Sequence, residues 1–299
     1  MMPFAAAQIF ETPLMIDEDK AAIIALAFGP RLLGAPVVVV DADGLEHRAT
    51  RQSMGVADSG IERALASRGI AGFGVHDGVG IIEVAGTLVH KGAFLGQSSG
   101  QTSYQGLQAQ IARAAAMPEI KGVAVEIDTF GGQVNGAFET AAALRRLSVI
   151  KPTMAILTDF ALSAGYLLAS QARQIVIPRN GRAGSIGVVT MHVNRRKQME
   201  QEGLEVTVIA SGAQKADGMG LSPLSDDKRA ALQASVDRTR DDFAAAVALG
   251  RGGRLDKAAA LATEARIEEG EAAVKAGLAD AVGDPVEAFE EFRRAIARG

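Results

Sequence analysis

Cysteine is absent from the 299 residues. That excludes a disulfide framework, a thiol nucleophile and a thiolate metal site. Positive charge is not in excess either. Lys+Arg 31 against Asp+Glu 35 leaves a formal charge of −4, and nucleic-acid binding, which draws on a basic surface, is not expected. No basic residue precedes the apolar start Met1-Met2-Pro3-Phe4-Ala5, so the start is a poor secretory signal. No apolar run reaches the ~20 residues that cross a bilayer. The best stretch, Ala21 to Val40, is split by Pro30 and Arg31, and no membrane span is expected. These absences together predict a cytoplasmic protein. What remains is an ordinary globular balance: 48% hydrophobic and 22% charged residues exclude wholesale disorder. A chain of this length buries ~75% of its unfolded surface and needs no staple.

The first ~75 residues differ from the rest. Asp17-Glu18-Asp19 before Ala21-Ala22-Ile23-Ile24-Ala25-Leu26 predicts a helix with acids at its positive end. Pro36 to Val40 predicts a strand, and Asp41 to Gly80 is polar and glycine-rich, with a short helix near Ile61 to Ser67. Residues 1–77 are therefore read as an N-terminal appendage and linker, and 78–299 as the main domain. Strands are predicted at Ile81–Ala85, Gly122–Ile127, Thr153–Leu157, Gln174–Ile177 and Glu205–Ile209. Helices are predicted at Tyr104–Met117, Val134–Leu147, Ser163–Ala172 and His192–Glu202. This alternation predicts an α/β domain with a mostly parallel sheet. Ser225 caps a predicted long helix whose Leu232, Val236, Phe243 and Val247 share one face and which stops at Gly250. Helices near Lys257–Thr263, Gly270–Lys275 and Pro285–Ile296 complete a helical C-terminal third.

In open α/β sheets ligands bind beyond the carboxyl ends of strands, and two predicted strand ends are unusual. Asp128-Thr129-Phe130-Gly131-Gly132 is either a tight turn or a source of bare N–H groups for an oxyanion. Ser163, in Leu162-Ser163-Ala164-Gly165, is either a helix cap or a nucleophile at a strand–helix junction. A serine nucleophile needs a base, and His47, His76, His90 and His192 have no motif context. A neutral lysine can serve instead. An ordinary lysine, with a pKa of about 10.4, is free base in only about 1 molecule in 2,500 at pH 7, so such a base has to be desolvated. Lys215, after a predicted strand in Ser211-Gly212-Ala213-Gln214-Lys215, is either that base or a solvated loop residue. Glu126 and Asp128, two apart on a strand, could hold a metal but lack a third ligand, so a structural role is expected and no metal or cofactor.

Four motifs in order, Asp128–Gly132, Ser163-Ala164-Gly165-Tyr166, Gly184-Ser185-Ile186-Gly187-Val188 and Ser211–Lys215, together with Gly277 to Gly283, resemble the signal peptide peptidase A (protease IV) family over residues 78–285. The resemblance implies a Clp/crotonase-like fold of repeated β-β-α units, with the N-terminal appendage and the C-terminal helices added. It implies a serine peptidase with a Ser/Lys dyad: Ser163 as nucleophile, Lys215 as base, Ser185 orienting the lysine, and an oxyanion hole from the N–H groups of Gly131, Gly132 and Ala164. Phe130 stands where the family has proline. With no membrane anchor and an N-terminal appendage, the chain looks most like the capsid-maturation branch of tailed phages, which places the expected cytoplasmic protein in the host cytoplasm or, if prophage-encoded, in the phage procapsid. The partners then expected are an extended polypeptide substrate, adding a strand near Val84 to Thr87, phage scaffold, portal or capsid proteins, and further copies of the chain. Alternatives are a signal-peptide-degrading peptidase, a crotonase-like acyl-CoA enzyme and a catalytically silent assembly protein.

Overall fold

The computed structural model of the chain describes residues 14–16, 38–40, 46–48, 73–91, 101–212 and 214–298. The expected helices at 21–26 and 61–67 lie outside them. In chain order the strands are β1 (Leu14–Ile16), β2 (Val38–Val40), β3 (Glu46–Arg48), β4 (Gly74–His76), β5 (Val79–Val89), β6 (Gln101–Ser103), β7 (Gly122–Gln133), β8 (Thr153–Leu162), β9 (Gln174–Ile177), β10 (Arg182–Gly184), β11 (Ile267–Glu269) and β12 (Ala281–Val282). The helices are α1 (Tyr104–Ala116), α2 (Ala137–Ile150), α3 (Ala164–Ala169), α4 (Arg196–Gln201), α5 (Asp226–Arg251), α6 (Lys257–Ala262), α7 (Gly270–Lys275) and α8 (Pro285–Arg298).

The main sheet runs β11-β10-β8-β7-β5-β4. Its centre is parallel, as expected: β5 pairs β7, β7 pairs β8, and β8 pairs β9 and then β10. Antiparallel pairs lie at its margins, β4 with β5, β10 with β11, and β1 with the end of β7. The central strands are apolar runs because both faces are covered. On one face, Val84, Val125, Ile127 and Leu157 pack with Leu107 and Ile111 of α1 and Leu144 of α2. On the other, Val79, Ala124, Met154 and Ile156 pack with Ala288 and Phe292 of α8.

The central strands are longer than the sequence predicts. β5, β7 and β8 each continue past their apolar core, and their register shifts between Ala85 and Thr87 and between Ile127 and Thr129. Such irregularities bend strands and raise their twist. The shifts let β8 pair first with β9 at Met154–Ile156 and then with β10 at Phe160–Leu162. The far ends of these bent strands carry the motif residues.

Other differences are local. Residues 205–209, expected as a strand, form no strand and are exposed. An alternating apolar run without a sheet edge to join has no partner for its backbone. The helix expected from His192 is confined to α4. Ser225 does cap α5, accepting from Lys228 N–H at 3.2 Å, and α5 ends at Gly252 rather than Gly250. Phe243 and Val247 of α5 are buried, whereas Leu232 and Val236 are only half-buried. No helix among the described residues is long and apolar enough to cross a membrane.

One buried ion pair ties the C-terminal elements to the sheet. Arg251, fully buried at the end of α5, holds Asp280 through two hydrogen bonds of 2.9 and 2.8 Å. Arg254 Nη1 adds a third at 3.0 Å, and Ile175 N–H of β9 a fourth at 2.7 Å. Burial alone would raise the Asp280 pKa, but the Arg251 bond and charge, the Ile175 N–H and the Arg254 charge hold it below the ordinary carboxylate value. Its stabilising contribution is complete above the unfolded value of about 3.9 and drains away as pH falls through the lower folded value. Asp280→Ala, which strands a buried guanidinium, is expected to cost about 3–5 kcal/mol in urea unfolding at pH 7. The gap between variant and parent should narrow below about pH 4, and a gap unchanged with pH would contradict this account.

Candidate active site

Parallel strands β8 and β10 end in step, Leu162 opposite Gly184. The next residue in each is a serine with positive φ, Ser163 at 52° and Ser185 at 55°. Ser163 N–H donates to the Gly184 carbonyl at 2.9 Å, and Ser185 N–H donates to the Arg266 carbonyl at 3.1 Å. The two serines are therefore neighbours, which the sequence spacing alone does not reveal. Ser163 (φ 52°, ψ −118°) directly precedes α3 and makes no side-chain cap bond. It is therefore not the helix-capping serine that one reading allowed. This backbone is unfavourable for a residue with a Cβ, by about 1–3 kcal/mol. It turns the chain sharply from strand to helix, the strained geometry that presents a nucleophile at a strand–helix turn.

The Ser163 side chain is fully buried, and Oγ has no hydrogen-bond partner among the described residues. A buried hydroxyl without a partner is costly, and such groups concentrate where function needs them. Three of the histidines weighed as bases make contacts elsewhere. His76 stacks edge-on against Phe289, His90 N–H donates to Gln133, and His192 Nε2 lies 3.3 Å from the Ser222 carbonyl. His47 is in β3. Lys215 does not reach Ser163 Oγ within one chain. It lies in an exposed segment, with its N–H bonded to the Gly212 carbonyl at 3.0 Å.

Gly131 and Gly132 are not a tight turn: β7 runs straight through them to Gln133. Nor do they open a helix, since α2 starts at Ala137. Their lack of side chains has another cause. A Cβ on Gly132 would lie 1.9 Å from the Leu88 carbonyl oxygen of β5. A Cβ on Gly131 (φ 100°) would lie 2.2 Å from the Met15 carbonyl oxygen and 3.1 Å from both Ala164 N and the Leu162 carbonyl oxygen. Backbone from three segments thus converges beside Ser163. Ala164 N faces this point, whereas Gly131 N–H is turned onto Thr129 Oγ1 at 3.0 Å. Thr129 Oγ1 in turn donates to the Gly86 carbonyl, and its methyl packs where a Gly165 side chain would stand, at 2.4 Å.

Thr129 is the residue whose role the sequence reading missed. It sits inside a quoted motif, and a buried β-branched hydroxyl two residues before a glycine was the available signal. Phe130, the departure from the family pattern, stacks on Phe160 of β8 with ring centroids 4.4 Å apart. That contact, worth about 0.5–1.5 kcal/mol, links the two strand ends where proline would have stiffened one. Glu126 and Asp128 project from one face of β7, and burial raises both carboxyls, helped at Glu126 by the charges of Glu83 and Asp128 and, at Asp128, opposed by the Phe160 N–H and helped by the Asp159 charge. No described Asp, Glu or His completes a three-ligand set with them.

The strain at Ser163 is measurable. Ser163→Gly should raise the unfolding midpoint, by about 1 kcal/mol of stability, because glycine adopts positive φ freely. Ser163→Ala also loses the unpartnered hydroxyl but keeps the Cβ, so its midpoint should lie below that of Ser163→Gly. Equal midpoints for the two variants would show that the turn is unstrained.

Comparison with known proteins supplies the family. Residues 145–297 match the model of peptidase family S49. Capsid assembly protease C of Escherichia phage lambda is 40% identical over 198 residues, 66% of this chain and 45% of that protein. Head-tail preconnector protein GP5 of Enterobacteria phage P21 is 37% identical over 198 residues, 66% of this chain and 39% of that protein. A putative signal peptide peptidase SppA of Enterococcus faecium is 27% identical over 201 residues, 66% of this chain and 57% of that protein. The chain spans less than half the length of the two phage relatives. The family match covers just over half of the chain and carries Ser163, Ser185 and Lys215, and by it the chain belongs to peptidase family S49.

Proposed function

We propose that the chain is a serine endopeptidase that works through an acyl-enzyme on Ser163, with Lys215 as general base. The observation that carries the reading is the strained, buried Ser163, whose Oγ has no partner and which abuts a convergence of backbone groups. In the reaction the neutral amine of Lys215 takes the Oγ proton as Oγ attacks the scissile carbonyl carbon. N–H groups at Ala164 and at Gly131 or Gly132 receive the oxyanion, each donor worth about 3 kcal/mol in the transition state. The leaving amine takes the proton from Lys215. Water then attacks the ester carbonyl as it gives a proton to the lysine, and the lysine passes that proton to Ser163 Oγ as the ester opens, restoring the free hydroxyl and the neutral amine.

In this reading Lys215 comes from a second copy of the chain. The segment that carries it is exposed, and Leu204, Val206, Val208 and Ile209 in it leave apolar side chains in solvent, Ile209 at 95% exposure. Association of like subunits would cover these side chains. It would also bring the lysine into a dry pocket, which a lysine base requires. Ser185, beside Ser163, would then orient the amine.

The names of the phage relatives support a role in processing head-assembly polypeptides of a phage or prophage. Mixing two inactive variants tests the dyad and its sharing between subunits together. Ser163→Ala and Lys215→Ala should each abolish hydrolysis of an unstructured polypeptide such as casein, and coexpressed in one assembly they should restore a fraction of it. Activity in either variant alone would reject the dyad. Two dead variants with no restoration on coexpression would reject the shared site.

A further inference from the structure

β1 occupies an unusual place. After Thr129 and Ala161, β7 and β8 part, because β8 turns at Ser163 into α3. The gap beyond is bounded on one side by the end of β7 and on the other by Val189. Leu14-Met15-Ile16 fills this gap as an extended strand. It pairs antiparallel with β7, Leu14 opposite Gln133, Met15 opposite Gly132 and Ile16 opposite Gly131. On its other edge Leu14 and Val189 exchange two backbone bonds of 2.8 and 2.9 Å. All three residues are thus paired with β7 on one edge and Leu14 is bonded to Val189 on the other, beside the nucleophile.

The side chains alternate as a bound peptide's would. Met15 points into the main core and is fully buried, while Leu14 and Ile16 pack on the opposite face with Met191. The Met15 carbonyl oxygen reaches the point where Gly131, Ala164 N and the Leu162 carbonyl meet. With β1 present, Ser163 is fully buried, and a polypeptide cannot reach it. The edge of β5 near Val84 to Thr87, expected from sequence to receive the substrate, is taken in part: Thr87 pairs with β6, and the Ala85 carbonyl accepts from Thr102.

We propose that Leu14-Met15-Ile16 is a built-in occupant of the substrate cleft, which an extended polypeptide with apolar side chains at alternate positions replaces. The inference rests on the peptidase reading. It makes β1 a regulator of that site: only the fraction of molecules with β1 out of the cleft binds substrate, so KM is raised by the reciprocal of that fraction.

Three full-length variants test it. Met15→Asp puts a carboxylate where an apolar side chain is buried and should drive β1 out. Leu14→Pro removes the N–H bonded to Val189 together with the leucine packing on Met191, and Met15→Leu preserves the contacts. In casein hydrolysis Met15→Asp and Leu14→Pro should lower KM about tenfold, the effect of moving the open fraction from about 5% to about half, with kcat nearly unchanged. Met15→Leu should match the parent. A free peptide spanning residues 11–18 should inhibit Met15→Asp competitively. An unchanged or raised KM in both disruptive variants overturns the occupant, as does failure of both to fold, which would make β1 a structural strand. Parent hydrolysis that Ser163→Ala leaves intact overturns the peptidase reading instead, and the occupant with it.

Discussion

The hydrogen bond from Ser163 N–H to the Gly184 carbonyl is the contact around which the site is organised. It closes the ladder between β8 and β10 one residue beyond their last paired residues. With that N–H fixed to the neighbouring strand and α3 starting at the next residue, Ser163 has little choice but positive φ. Strain at one residue is set by rigid elements on either side of it, and packing of the fully buried α3 against β7 supports the cost.

The glycines complete the geometry by absence. Gly132 lets β5 lie against β7, Gly131 admits a third backbone beside Ala164, and Gly165 leaves room for the Thr129 methyl. Main chain therefore dominates the surroundings of Gly131 and Gly132. Under the proposed peptidase reading, such surroundings would recognise an extended polypeptide by its backbone. Thr129 holds the Gly131 N–H in this conformation, so this donor becomes available to an oxyanion only when that bond is released.

Much of this was legible in the sequence. Apolar runs bounded by turn residues located the cores of β5, β7, β8 and β9, and Ser225 with its following acids located the start of α5. What escaped has physical reasons. Strand lengths escaped because the distal halves of β7 and β8 carry Thr, Asp, Gly and Phe, whose pairing is dictated by neighbouring strands rather than by their own propensity. Glu205–Ile209 read as a strand because its alternation is genuine, but alternation without a partner strand makes no sheet. The neighbourhood of Ser163 and Ser185 escaped because it arises from two parallel strands ending together, a tertiary fact. That Leu14–Ile16, within the segment read as an appendage, belongs to the main sheet was also hidden, since three apolar residues carry no periodicity.

The central claim is that Ser163 is the nucleophile and that it depends on a lysine supplied by association. Labelling with a fluorophosphonate followed by peptide mapping tests it most directly. The account predicts a single adduct, on Ser163, formed by the assembled protein and lost in Lys215→Ala. An adduct on another serine, or Ser163 labelling that persists undiminished without Lys215, would contradict it.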